Sequence, residues 1–121
     1  MTPTLCAWNF TPDRLQTLRG LCGGLGIRLR PVGPGETGLP LATLAQTLPA
    51  PPAGPAAMPF PEEMLLMAAF PDALVDALLA GLKREKLAPV ARKAVLTPFN
   101  AAWDSRKLHA ELSAEAARFA R

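Results

Sequence analysis

The chain is poor in the residues that most often carry chemistry. Its 121 residues include one histidine, His109, and two cysteines, Cys6 and Cys22. One histidine and two scattered cysteines give no zinc-ligand spacing, and two cysteines cannot build a disulfide framework. Both thiols read as buried and reduced, the ordinary intracellular state. No metal and no other cofactor is expected. Long apolar runs are missing too: no stretch reaches the roughly 18 residues that span a bilayer, so no membrane role is expected. The opening MTPTLCAWNF has no basic start and no long apolar core. That sets a secretory signal aside and makes the cytoplasm the expected location. The net charge of +3 is mild and does not by itself argue for nucleic acid.

What is present is apolar and periodic. Hydrophobic residues make up 50% of the chain, enough for one domain over residues 1–121 with a core of its own. Residues 4–10, TLCAWNF, alternate between Pro3 and Pro12 and read as a strand. A helix follows, with Thr11 as N-cap, Pro12 at its first position and Leu15, Leu18, Leu21, Cys22 and Leu25 at helical spacing. Gly23, Gly24 and Gly26 end it, and IRLRPV, residues 27–32, reads as a second strand with Arg28 and Arg30 on its polar side. Residues 39–48 suggest a short helix. The proline-rich stretch 49–61 reads as an extended, mobile connection.

The second half repeats this order. Residues 62–70 read as a strand, 71–87 as a helix facing inward through Leu74, Val75, Leu78, Leu79 and Leu82, and 92–98 as a strand ended by Pro98. A last helix at 104–120 carries a stripe of Leu108, Leu112, Ala116 and Phe119. A shift of about 60 residues lays Leu5 on Leu65, Phe10 on Phe70, Leu18 on Leu78 and Ile27 on Leu87, and puts both cysteines on leucines. The half-repeats are thus 1–48 and 62–121. Two β-α-β halves in tandem predict a ferredoxin-like β-α-β-β-α-β fold of the α+β class, an antiparallel sheet with helices on one face. The C-terminal helix is an addition on an edge or on the open face. A small doubly wound parallel sheet is the alternative.

The most distinctive local pattern is Lys-Ala-Val-x-Thr-x-x-Asn-x-x-Trp, at Lys93, Ala94, Val95, Thr97, Asn100 and Trp103. With EEMLLMAAF and LVDALLAGLKREKL before it, this half resembles a family of small bacterial proteins known as a domain of unknown function. The resemblance covers roughly the last 60 residues. It implies an organisation and marked positions, and it brings no chemistry.

Glycine-rich GLCGGLGIRLR follows a helix and leads into a strand, the reverse of a phosphate loop. His109 lies between Lys107 and Glu111 and reads as solvated, and no nucleophile, base and orienting group fall together. No enzyme is expected. Trp8 and Phe10 on the first strand raise the possibility of base stacking, but the third strand offers only Phe70 near its end, so nucleic acid is disfavoured. MLLMAAF is apolar on both faces. A sheet covered on one side exposes one of its rows, which makes Met64, Leu66 and Met67 the expected association surface. The expected function is binding, to a partner protein or a second copy of this chain as a homodimer, in a regulatory role. Lys93, Thr97, Asn100 and Trp103 mark the expected surface site. A weak nucleic-acid module and a small-molecule sensor with a site between subunits are the alternatives.

Overall fold

The computed structural model describes residues 2–49, 57–87 and 89–119, so most of the proline-rich connection, residues 50–56, lies outside the described residues. β1 (Thr4–Trp8) leads into α1 (Pro12–Leu25), where the Thr11 hydroxyl accepts from the Arg14 N–H at 3.4 Å and Pro12 needs no partner for its absent N–H. β2 (Arg28–Pro31), a single 3-10 turn at Pro34–Glu36 and α2 (Leu41–Gln46) complete a first unit. β3 (Met64–Ala68), α3 (Asp72–Arg84), β4 (Arg92–Val95) and α4 (Ser105–Phe119) form a second in the same order.

Strands β1 and β3 are buried at all five positions, because each carries apolar side chains on both pleat faces. Such strands need cover on both sides. Leu5, Ala7, Leu65 and Met67 pack under α1 and α3 with Leu18, Leu78 and Leu82. Cys6, Trp8, Met64 and Leu66 pack on the opposite face with Leu41 and Leu44 of α2 and Leu108 of α4. Each fully buried leucine contributes about 1.5–3 kcal/mol.

The mixed α/β class and the two tandem β-α-β halves hold, but the strand pairing differs from an all-antiparallel sheet. The order is β2-β1-β3-β4; β1 with β2 and β3 with β4 are parallel, and only the central β1–β3 pair is antiparallel. Each helical crossover returns its second strand directly beside its first, leaving no gap for a strand of the other half. Helices accordingly cover both faces, and α4 shares the second face with α2 rather than sitting on an edge.

The repeat extends to the backbone. β3 starts 60 residues after β1 and α3 60 after α1, whereas β4 and α4 start 64 residues after β2 and α2. Positive φ angles recur at the 60-residue shift: Asn9 at 65° and Ala69 at 61°, Gly26 at 71° and Lys86 at 59°. Both long helices end alike. Ile27 N–H donates to the Cys22 carbonyl and Leu87 N–H to the Leu82 carbonyl, with the left-handed residue just before each. In the central pair, Cys6 faces Leu66, its own equivalent, while Thr4 faces Ala68 and Trp8 faces Met64. A local twofold axis therefore passes through Cys6 and Leu66.

Candidate binding site at the end of the second unit

The marked segment begins on β4 and runs through a turn into α4. Asn100 is 8% exposed and uses both ends of its amide: Oδ1 accepts from the Thr97 N–H at 2.9 Å, and Nδ2 donates to the Val95 carbonyl at 3.0 Å. The Thr97 hydroxyl accepts from the N–H groups of Phe99 and Asn100. Asn100 thus staples the turn to the end of β4. The helix cap falls to Asp104, whose Oδ1 accepts from the Lys107 N–H at 2.9 Å. Trp103 is half-buried against the α2–α4 core, its carbonyl accepts from the Leu41 N–H, and the Lys107 ammonium lies 5.5 Å from its ring. Lys93 donates through Nζ to the Val90 carbonyl.

Lys93, Asn100 and Trp103 line one cavity of about 280 Å³, shared with Ala94 and the α4 residues Glu111 and Glu115. Thr97 is exposed and serves the turn instead. On the other side of β4 a larger groove of about 540 Å³ runs between α3 and residues 89–93, lined by Leu79, Leu82, Pro89 and Val90 with Lys83 and Lys93.

The row expected to carry association is internal. Met64 and Leu66 are 0% exposed under α2 and α4, and Met67, at 4%, faces α1 and α3. They do not form one row, because neighbours of opposite parity point to opposite faces. The chain covers its own sheet, so these three are core residues. Trp8 is fully buried and donates through Nε1 to the Ser105 hydroxyl at 3.0 Å, while Phe10 packs on the opposite cluster; neither is presented for base stacking.

His109 is not solvated as its sequence neighbours suggest. Its Nε2 lies 2.9 Å from Glu62 Oε1, and its ring stacks on Phe60 with centroids 4.1 Å apart. The hydrogen bond from His109 holds the Glu62 carboxyl below its ordinary range. Cys6 and Cys22 are free and buried in opposite clusters, and desolvation pushes both thiols up to about 11. Among the described residues, no group of three or more His, Cys, Asp or Glu is placed to hold a metal ion.

Sequence reasoning missed the most elaborate polar assembly. Arg30, assigned to a polar strand face, is 0% exposed. Its guanidinium meets Glu36 at 2.8 and 2.6 Å and also donates to Pro31, Leu44 and Thr47. The face that looked polar is the one α2 covers. A glutamate six residues after a strand arginine is the signal, and only a known helix position gives it meaning.

Residues 63–119 match the family model described as Domain of unknown function (DUF3783). The match covers β3, α3, β4 and all of α4, just under half of the chain, and includes every position from Lys93 to Trp103. No curated protein and no solved structure gives a match.

Proposed function

We propose that this is a non-catalytic cytoplasmic protein that binds another polypeptide, a partner or a second copy of itself, along the β4 side of its second unit. The observation that carries this reading is the 540 Å³ groove beside β4. It arises from two differences between the units. The second is longer between helix and strand, since the shift grows from 60 at β3 to 64 at β4, and Pro89 and Val90 in that extra length form one wall. Leu79 also stands where the first unit has Arg19. Leu79, Val95 and Phe99 are exposed apolar side chains in the same unit, at 36%, 41% and 90%. The opposite edge strand, β2, ends in Pro31, which has no N–H to offer a neighbouring strand.

The cytoplasmic part of the reading is supported by the buried thiols. Among the described residues, no helix is long and apolar enough to cross a membrane. Light scattering at micromolar concentration tests the proposal together with capture from native cell extract. Either a dimer, or a captured protein, is expected to be lost in Leu79→Asp. A parent that stays monomeric and captures the same proteins as Leu79→Asp refutes it.

A further inference from the structure

The cavity on the other face of β4 has a counterpart in the first unit, and there the space is filled. At the 64-residue shift that relates β2 to β4 and α2 to α4, Arg30 corresponds to Ala94, Glu36 to Asn100, Leu44 to Leu108 and Thr47 to Glu111. The correspondence is structural as well. Leu44 and Leu108 are 0% and 1% exposed in the same cluster, Glu36 and Asn100 are both buried polar residues, and Arg30 and Ala94 sit beside Cys6 and Leu66 on the axis. In the first unit the Arg30 guanidinium occupies the space these residues enclose. In the second, the same four positions line the open cavity of about 280 Å³.

We infer that this cavity is a ligand site for a guanidinium group, carried by a small molecule or by an arginine side chain of another protein. Three features favour a guanidinium over an apolar guest. Truncation to Ala94 removes the chain's own guanidinium and leaves its space. Glu111 stands where the first unit offers the Thr47 hydroxyl, so an acceptor has become a carboxylate, and Glu115 lines the same wall one helical turn on. Trp103 adds an aromatic ring that already attracts a cation, the Lys107 ammonium. Lys107 also pairs with Glu111 at 2.9 Å, a contact about half exposed and readily exchanged for a ligand. Arg118 also lines the cavity, a cation that could meet a carboxylate on the same ligand. The groove lies toward α3 and shares Lys93 alone with this cavity, and neither test substitutes that residue, so the two readings fail separately.

The test uses the full chain with three probes: agmatine, free arginine and a short peptide with one central arginine. Calorimetry is expected to show saturable binding of at least one probe below about 10 mM, a weak but specific range. Ala94→Arg supplies the missing guanidinium in place, so it should melt no lower than the parent and bind none of them. Glu111→Gln, at an exposed position, should fold normally and weaken binding at least tenfold. Tighter binding of the peptide than of the free compounds identifies a partner's arginine as the source, and the reverse identifies a small molecule. The inference is overturned if no probe binds, if binding survives Ala94→Arg, or if Ala94→Arg collapses the melt, because the cavity then does not accept the group.

Discussion

Asn100 shows how much one amide can hold. Its two hydrogen bonds satisfy the Val95 carbonyl at the last residue of β4 and the Thr97 N–H two residues beyond it. Removing a side chain of this kind leaves two backbone groups without partners, so Asn100→Ala is expected to cost about 2 kcal/mol. Asp104→Ala removes an ordinary helix cap and should cost about 1 kcal/mol. Urea titrations of the two variants check the order. An Asn100→Ala protein as stable as its parent would mean that the turn is held by Trp103 and the α2 contacts alone. The sequence marks Asn100 and Asp104 as short polar side chains near a helix start. Which one caps the helix and which one staples the turn depends on where the strand ends, and that is not written locally.

At the scale of elements, the crossing of α1 and α3 is set by one missing side chain. Gly81 is the 60-residue equivalent of Leu21, and the two meet where the helices pack across the local axis. A Cβ on Gly81 would lie 2.5 Å from Leu21 Cδ1. Two equivalent leucines cannot share that position, and the chain solves this with a large residue on one helix and none on the other. Gly81→Ala gains up to about 1 kcal/mol of helix propensity but forces overpacking worth about 1–3 kcal/mol, so a net loss is expected. Gly81→Leu alone should lose more. Combining it with Leu21→Gly exchanges the two roles across the axis, and that double variant should melt closer to the parent than Gly81→Leu does. Additive losses would show that the two positions are not interchangeable. The helical stripes themselves are readable from spacing, and Leu18, Leu78, Leu82 and Leu108 are all in the core. Ala116, placed on the stripe of α4, is exposed instead; of that stripe Leu108 and Leu112 reach the core, and the side chain of Phe119 lies outside the described residues.

Over the whole molecule, the two units form an internal dimer. The β1–β3 pair is centred on Cys6 and Leu66, and each unit supplies one helix to either face. Residues 61–121 alone would expose the apolar β3 edge that β1 now covers. That half is expected to self-associate by pairing β3 with β3 about Leu66, giving a dimer by light scattering. A folded monomeric half would show that the first unit is not needed to cover that edge. The sequence by itself determined the order of strands and helices, the repeat, the burial of both cysteines and the mixed class, because apolar spacing, capping residues and prolines act over a few neighbours. It did not determine which strands lie side by side, which face α4 covers, or that Arg30 is internal and Met64 and Leu66 have no free surface. Those depend on where each crossover returns its strand, and a β-α-β pattern is compatible with either an adjacent or an interleaved return. Only tertiary packing selects between them, since burying both faces of β1 and β3 under four helices removes more apolar surface from water than covering one.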